Sequence, residues 1–228
     1  VCDALDGIGH FDLHLDSEEI RPLWQGMRFW GPAFTIRCVP ANRPMWKLGS
    51  TQEIVDAHGI WFRETGDVSF SDLLRPGHVI VMDSGGAGEV GYWGSNNTLG
   101  VVARGVAGIV TDGYGRDTDE MIGQRTPICL RRRGRTIIPG RIQVAEVQVK
   151  IGCGGAQVRP GDLVGADGDG VVVVPLEVAV EVGRHAAAVL LADMKGRRAL
   201  YEQLGRELDE TVAWEGVEEY YRGVLAGV

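Results

Sequence analysis

The chain has 228 residues, of which 44% are hydrophobic and 24% are charged, as in a soluble globular protein of one large or two small domains. Its formal net charge of −8 argues against a general nucleic-acid binder, because phosphate backbones attract basic surfaces. No apolar run reaches the roughly 18 residues that a membrane span requires. The totals therefore favour a protein that acts on small molecules and has neither nucleic acid nor membrane as a partner.

The metal-binding and redox-active residue types show no local motif. Four cysteines occur without a Cys-x-x-Cys pair, namely Cys2, Cys38, Cys129 and Cys153. We expect reduced thiols, most of them buried, in a reducing compartment, and we place the protein in the cytoplasm. The five histidines have neither HxH nor HExxH spacing, so no zinc site is predicted.

The first half of the chain predicts alternating strands and helices. Residues 29–39 alternate and are rich in aromatic and β-branched side chains, which predicts a strand. Residues 51–58 indicate a helix, and 59–76 a connecting segment without a strong period. An Arg-Pro-Gly turn then introduces a strand at 79–82. A helix is predicted at roughly 94–104.

The second half begins in the same way and then changes character. The predicted elements are a strand at 108–112, a short helix from 118, strands at 127–130 and 142–151, a hairpin of strands 163–166 and 171–174, and helices over 175–208 and 214–225. The last helix has an apolar face formed by Trp214, Val217, Tyr221, Val224 and Leu225. Continuous apolar strands between helices are typical of parallel pairing, so the predicted class is α/β with a helical C-terminal extension.

Arg116 and Asp117 stand directly after the strand at 108–112 and the glycine-rich turn that ends it. One interpretation makes Asp117 a helix N-cap with Glu120 as its partner in a capping box, which leaves Arg116 on the surface. The other is a ligand site, because α/β folds bind ligands at the ends of parallel strands. The guanidinium would grip a carboxylate, and the aspartate would hold one Mg²⁺ that a small acid chelates.

A rival motif is GAGEVG at 86–91, which matches the Gly-x-Gly-x-x-Gly dinucleotide fingerprint. It follows a predicted strand and precedes a predicted helix, and Asp112 lies about 20 residues further on. Two features weaken the match. The chain contains 34 glycines, so chance matches are expected, and Gly94 stands where the helix should already be running.

Two further stretches allow more than one interpretation. The turn of Gly94, Ser95, Asn96 and Asn97 predicts a helix start, where a side chain caps the backbone and free N–H groups can bind an anion. Residues 131–135 carry four arginines. They indicate a solvated loop, a patch that draws anionic substrates, or a surface that pairs with acids of a neighbouring subunit.

Several blocks together resemble a known family. They are CDALDGIG, GPAFTIRCVP, PGHVIVMD, ARGVAGIVTDGYGRD and RPGDLVGADGDGVVVVP, which extend over about residues 1–180. In order and spacing they resemble the class II pyruvate aldolases typified by 4-hydroxy-4-methyl-2-oxoglutarate aldolase, which share their fold with the regulator of ribonuclease E activity A (RraA). The resemblance implies an RraA-like α/β/β sandwich domain with mixed sheets over residues 1–204 and a helical C-terminal extension over 205–228. It also implies homotrimers or homohexamers with active sites between subunits.

The resemblance assigns roles to individual residues. Asp117 would bind the divalent metal, Mg²⁺ or Mn²⁺, and Arg116 the keto or carboxylate oxygen of a 2-oxo acid. Residues 94–97 would donate N–H groups to the carboxylate. The family carries an acid where this chain has Ser95, so the handling of protons is altered. A neighbouring subunit's glutamate also acts in the family, for which Glu202 is the candidate here.

Three functions follow from these observations. The first is a divalent-metal-dependent lyase, an aldolase or oxaloacetate decarboxylase, that forms the enolate of pyruvate from a 2-oxo acid. A changed reaction at the same site, such as dehydration of a sugar acid, belongs to this class. The second is a non-catalytic regulatory or binding protein on the same fold, which Ser95 favours. The third is a dinucleotide-binding oxidoreductase.

Overall fold

The computed structural model describes residues 1–16, 18–65, 68–212 and 217–226. It divides into two compact units, one formed by Asp12–Leu176 and the other by Val1–Phe11 with Glu177–Val228. Within the described ranges, no helix combines the length and the apolar character needed to cross a bilayer.

The larger unit contains a mixed sheet of nine strands and a separate sheet of two strands. The strands of this unit are β1 (Arg21–Pro22), β2 (Phe29–Pro40), β3 (Val79–Asp83), β4 (Gly91–Trp93), β5 (Gly108–Gly115), β6 (Ile128–Arg133), β7 (Ile142–Val147), β8 (Ile151–Cys153), β9 (Ala156–Val158), β10 (Leu163–Asp167) and β11 (Gly170–Val174). The order is β1-β6-β5-β3-β2-β10-β11, with β4 beside β5 and β7 beside β2, while β8 and β9 form a separate pair.

Strands β2, β3, β5 and β6 pair in parallel, and β4 adds to β5 in parallel. Strands β7, β10 and β11 pair antiparallel. The two ends of the sheet approach each other, since Arg21 of β1 donates a hydrogen bond to the carbonyl of Asp169 between β10 and β11 at 3.0 Å. The predicted α/β class with mixed sheets is confirmed.

The described residues also form short 3-10 helices at Ser71–Leu73 and Leu176–Val178 and six α-helices, namely α1 (Cys2–Gly7), α2 (Thr51–Thr65), α3 (Ser95–Val102), α4 (Thr118–Gly123), α5 (Ala179–Gln203) and α6 (Val217–Ala226). Helices α2, α3 and α4 belong to the larger unit. In the smaller unit α1 and α6 both contact the long helix α5.

The continuous apolar run of β3 places buried side chains on both faces of the sheet. Ile80 and Met82 lie in one buried cluster, while Val79 and Val81 lie in the other, and all four side chains are inaccessible to solvent. Such a strand cannot alternate apolar with polar residues, because other parts of the chain cover both of its sides. The cluster that contains Val79 and Val81 also contains residues of β8, β9, β10 and β11. The parallel strands of the sheet place their carboxyl ends together at one edge.

Several predicted boundaries differ from the structure. The segment predicted to connect from residue 59 is helical up to Thr65, because Ala57 and Trp61 give α2 a buried face beyond residue 58. The single strand predicted at 142–151 is two strands, β7 and β8, and Gln148 between them has a positive φ of 54°. The backbone therefore turns where the alternating pattern continues.

Strand β5 continues beyond the predicted end at residue 112 and includes the glycine-rich turn up to Gly115. A Cβ at Gly115 would lie 2.7 Å from Cδ2 of Leu130, so glycine lets β5 and β6 stay paired there. Strand β6 also extends beyond residue 130, up to Arg133.

The hairpin of β10 and β11 is confirmed, and Asp167 accepts a hydrogen bond from the Asp169 backbone N–H in its turn. At the C-terminus α5 ends at Gln203, earlier than the predicted residue 208. Residues 213–216, including Trp214 of the predicted apolar face, lie outside the described residues, as do the side chains at 224 and 225. The proposed boundary between 204 and 205 stays a prediction.

All four cysteines are free thiols, and three of them are buried, as expected. Burial raises the pKa of Cys129 to about 12, and the charge of Asp167 adds to this effect. Burial likewise raises the pKa of the Cys153 thiol, with Asp112 as the next cause. Thiols held in this protonated state are poor nucleophiles, so the buried cysteines act as small apolar side chains.

Candidate functional site

Two segments that are distant in sequence meet at the carboxyl ends of β4 and β5. Trp93 pairs with Gly115 in the parallel register, and the Arg116 N–H donates to the Trp93 carbonyl at 2.8 Å. Because both strands end at the same edge of the sheet, Gly94 and Ser95 lie beside Arg116 and Asp117. The residues that the sequence predicted as one site are brought together.

The carboxylate of Asp117 points toward the start of α3. Its Oδ2 accepts a hydrogen bond from the Ser95 N–H at 3.3 Å and lies 3.5 Å from the Ser95 hydroxyl oxygen. Asp117 is the N-cap residue of α4, but its side chain makes no capping hydrogen bond there. The interpretation as a capping box with Glu120 is therefore wrong, since the carboxylate faces another helix.

The backbone of Asp117 adopts the left-handed conformation, with φ of 54° and ψ of 39°. A residue other than glycine pays about 1 kcal/mol or more for this conformation, although aspartate tolerates it better than most. The strained turn aims the exposed carboxylate away from its own helix. Such strain is common where a side chain must be presented to a ligand.

Gly94 is the residue that allows Arg116 and Asp117 to converge. A Cβ at Gly94 would lie 2.7 Å from Oδ2 of Asp117 and 3.2 Å from Nε of Arg116. A Cβ at Gly91 would lie 3.0 Å from Cβ of Arg116. The two charged side chains thus lie against the same small patch of glycine backbone, and they are not splayed apart.

Helix α3 begins at Ser95 with Gly94 as its N-cap, and the Thr98 N–H donates to the Gly94 carbonyl at 3.0 Å. The side chains of Asn96 and Asn97 are exposed, and the Asn97 amide donates to the Tyr92 carbonyl at 3.3 Å. The first N–H groups of a helix have no intrahelical acceptor. This end of α3 can therefore donate hydrogen bonds to an anion beside Arg116.

His58 on α2 is a neighbour that the sequence did not predict. Burial lowers the pKa of its imidazole, and the positive charge of Arg116 lowers that pKa further. Its Nε2 is buried and has no hydrogen-bond partner among the described residues. No motif or spacing marks this histidine in the sequence, because only the packing of α2 brings it into the field of Arg116.

Asp117 suits one kind of metal site. The part of the chain that the structure describes contains no group of three or more His, Cys, Asp or Glu residues able to hold an ion. A closed protein cage is therefore absent from these residues. Mg²⁺, however, is commonly bound by one or two carboxylates with waters and substrate oxygens. The exposed Asp117 carboxylate fits a site of that open type.

The rival dinucleotide interpretation does not fit the structure. Residues 86–91 lead from β3 into the strand β4, and α3 begins only at Ser95. The Asp112 carboxylate, which would bind a ribose in that interpretation, accepts the Ser84 N–H at 2.8 Å instead. The fingerprint requires a helix that starts within the glycine-rich turn, so this interpretation is wrong.

Three of the four arginines in the arginine-rich run form ion pairs within the chain. Arg131 and Arg132 both form ion pairs with Glu19. Arg135 pairs with Glu89, with 3.1 Å between Nη2 and Oε2. Arg132 and Arg133 are exposed, but residues 131–133 belong to strand β6, so the prediction of a loop is wrong for these three residues. The three paired arginines therefore share two glutamates of the same chain.

The family model of the RraA-like proteins, described as Aldolase/RraA, matches residues 1–173. A relative from Halalkalibacterium halodurans, provisionally named 4-hydroxy-4-methyl-2-oxoglutarate aldolase, is 31% identical over 182 residues, which cover 77% of this chain and 70% of that protein. The solved structure of RraAS2 from Streptomyces coelicolor, described as an unusual member of the RNase ES inhibitor RraA family, has a TM-score of 0.67 and 25% identity. It covers 86% of this chain and 88% of its own. The chain belongs to the RraA-like family.

Protein DlpA of Legionella pneumophila is 26% identical over 200 residues, which are 88% of this chain. The matched part is 29% of the Legionella protein, so this chain spans less than a third of that relative's length. The relatives thus include a protein provisionally named as an aldolase and a protein described as an unusual member of the RNase ES inhibitor RraA family.

Proposed function

We propose that the protein is a lyase that cleaves a carbon–carbon bond of a small 2-oxo acid with the help of Mg²⁺ or Mn²⁺. One observation carries the proposal, namely that the exposed Asp117 carboxylate and the Arg116 side chain converge on Gly94 at the carboxyl edge of the sheet. A carboxylate can bind a divalent cation, and a guanidinium next to it can bind the anionic substrate that this cation holds. The aldolase names among the relatives agree with this chemistry.

Each residue has a stated part in the proposal. Asp117 would hold the divalent ion, which when bound withdraws electron density from the keto oxygen. Arg116 would donate hydrogen bonds to an oxygen of the substrate and stabilise the negative charge that develops during cleavage. The N–H groups at the start of α3, at Asn96 and Asn97, would receive the substrate carboxylate.

Proton transfer differs from the family pattern because Ser95 replaces an acid. The Ser95 hydroxyl oxygen lies 3.5 Å from Oδ2 of Asp117, close enough to orient the carboxylate, but a serine is not a base at neutral pH. The proton that leaves the substrate hydroxyl group would therefore pass to a water or to another side chain. In a homotrimer or homohexamer, the side chain that accepts this proton would belong to a neighbouring subunit, with Glu202 as the candidate.

The experiment compares Asp117→Asn with Asp119→Asn, a matched change of an exposed aspartate two residues further on, in the first turn of α4. Release of pyruvate is measured from a panel of 4-hydroxy-2-oxo acids and from oxaloacetate, with Mg²⁺ or Mn²⁺. We expect the wild type and Asp119→Asn to release pyruvate, and Asp117→Asn and wild type in excess EDTA to release none. Equal rates in Asp117→Asn and the wild type would rule the proposal out.

The second candidate is a regulatory protein without turnover, and the resemblance to the Streptomyces RraAS2 structure together with Ser95 favours it. Its partner would be a protein of the RNA-processing machinery, in keeping with the description of that relative. Binding to a ribonuclease of this type by a protein that releases no pyruvate with either metal would support this candidate against the lyase.

A further inference from the structure

A partly open cavity of about 350 Å³ lies along α3 in the larger unit. Its apolar walls are formed by Phe62, Phe70, Tyr92, Trp93, Val101 and Val144. Cavities that bind small ligands have volumes of roughly 300–1,000 Å³ and combine apolar walls with a few polar groups. In size and lining this cavity falls within that class.

One end of the cavity adjoins the site built around Asp117. Asn96 and Asn97 line the cavity, and they directly follow Ser95, which contacts Asp117. Successive residues of an α-helix advance by about 1.5 Å, so these positions are within a few ångströms of each other along the axis. A ligand with its carboxylate at the start of α3 would direct its remaining atoms along the cavity.

A cation lies just beyond the C-terminal end of α3, which ends at Val102. Arg104 lines the cavity, and its Nη1 donates to the Gly100 carbonyl at 3.3 Å. Its closest acidic partner among the described residues is Asp72, at 3.9 Å, which is a weak pairing at an exposed position. The guanidinium therefore lies near the level of Gly100, roughly 8 Å beyond Ser95 along the axis. A guanidinium binds favourably over the face of an aromatic ring.

Gly100 keeps the cavity open. It lines the cavity, and a Cβ at this position would meet nothing within 4 Å. A larger residue would therefore occupy the space without displacing protein atoms. Glycine in a helix lowers stability by about 1 kcal/mol relative to alanine, so its presence at an unconstrained position agrees with a need for space.

We propose that this cavity receives an aromatic arm of the substrate, so that the protein acts on 2-oxo acids that carry an aryl group. The inference rests on the lyase function proposed above. Aromatic walls, a cation near Gly100 and a polar end at Asn96 and Asn97 match a molecule with a carboxylate head and a ring two to three bonds beyond the keto group.

The corresponding reaction is the cleavage of a 4-aryl-4-hydroxy-2-oxobutanoate. The bond between C3 and C4 breaks, and its electron pair stays on C3 as the enolate of pyruvate. The hydroxyl group on C4 loses its proton and becomes the carbonyl of an aromatic aldehyde. The enolate then takes up one proton, so pyruvate and the aldehyde are the products and no oxidant or reductant is needed.

The test measures binding separately from turnover. Calorimetry in the presence of Mg²⁺ compares 2-oxo-4-phenylbutanoate, which has no hydroxyl group to permit cleavage, with 2-oxobutanoate. We compare the wild type with Gly100→Leu, and with Gly183→Leu as a control on α5, where a Cβ also meets nothing within 4 Å. We expect the wild type and Gly183→Leu to bind the phenyl compound about tenfold or more tightly than 2-oxobutanoate, as removal of a ring from water predicts.

Gly100→Leu should abolish this preference and leave the affinity for 2-oxobutanoate within about twofold, because the leucine fills only the space of the ring. Arg104→Gln should weaken binding of the phenyl compound alone. Equal affinities in the wild type, or an unchanged preference in Gly100→Leu, would overturn the inference. A failure of the proposed lyase function would give a different result. Pyruvate would be released from none of the hydroxy-oxo acids, while the preference for the phenyl compound over 2-oxobutanoate would persist.

Discussion

The Ser95 backbone N–H lies 3.3 Å from Oδ2 of Asp117, although the two residues are 22 positions apart in the sequence. This hydrogen bond joins the start of α3 to the turn before α4. It holds the proposed metal-binding carboxylate beside the N–H groups proposed to bind the substrate. The geometry of the candidate site therefore depends on a contact between two helix starts, which the parallel pairing of β4 and β5 brings together.

The first prediction concerns Gly94. In Gly94→Ala the new Cβ would lie 2.7 Å from Oδ2 of Asp117 and 3.2 Å from Nε of Arg116, so both side chains must move. We expect kcat/KM for pyruvate release to fall about 100-fold, since displacement of a catalytic group by about 1 Å has effects of that order. Gly123→Ala is the control, because a Cβ there meets nothing within 4 Å. Similar kcat/KM values for the two variants would contradict this account of Gly94.

The second prediction concerns the shape of the cation at residue 116. Arg116→Lys keeps the positive charge but removes the planar fork that grips a carboxylate or enolate through two hydrogen bonds. We expect kcat to fall by about 100-fold or more, the usual effect of removing one stabilising donor from a transition state. Circular dichroism should show an unchanged fold. A kcat equal to that of the wild type would mean that charge alone suffices at this position.

The third prediction concerns Ser95. Ser95→Asp would place a second carboxylate within reach of Asp117, at the position where the resemblance to the aldolases implies an acid. Two carboxylates attract a divalent cation more strongly than one, so we expect Mg²⁺ to bind about tenfold more tightly. Calorimetric titration with Mg²⁺ checks the affinity, and Asp119→Asn serves as a control for general surface charge. An unchanged affinity would show that residue 95 does not face the ion.

The fourth prediction concerns the pH dependence that His58 contributes. Burial first, and the charge of Arg116 second, lower the folded-state pKa of His58 below its usual value of about 6.5. The unfolded chain therefore binds a proton at a higher pH than the folded protein does. As the pH falls from the unfolded pKa of about 6.5 toward the lower folded pKa, His58 reduces the free energy of unfolding.

Denaturant unfolding at several pH values should thus show a smaller loss of stability below pH 6.5 in His58→Gln than in the wild type. His78 supplies an internal comparison, because its pKa is also lowered by burial, with Arg75 as the second cause. NMR titration should give a higher His58 pKa in Arg116→Gln and an unchanged His78 pKa. A His58 pKa that does not move in that variant would show that Arg116 does not influence it.

Local sequence signals predicted most of the elements around the site. The apolar run of β3, the helix α3 and the hairpin of β10 and β11 were each predicted close to their observed bounds, because periodicity and turn residues act over a few positions. The predictions were less accurate where long-range packing determines the end of a helix or strand. Trp61 extends α2 because its ring is buried in the core, and Gln148 ends β7 although the alternating pattern continues.

The sequence by itself determined the family, the α/β class and the adjacency of Arg116 and Asp117 after a buried strand. These features follow from neighbouring residues and from the order of several motifs. Only the tertiary structure decided that Asp117 turns away from its own helix toward Ser95, that His58 lies in the field of Arg116, and that a cavity runs along α3 beside Gly100. These features depend on how strands and helices from distant parts of the chain pack. Local propensities do not encode such contacts, since the parallel register that brings them together is set by the whole sheet.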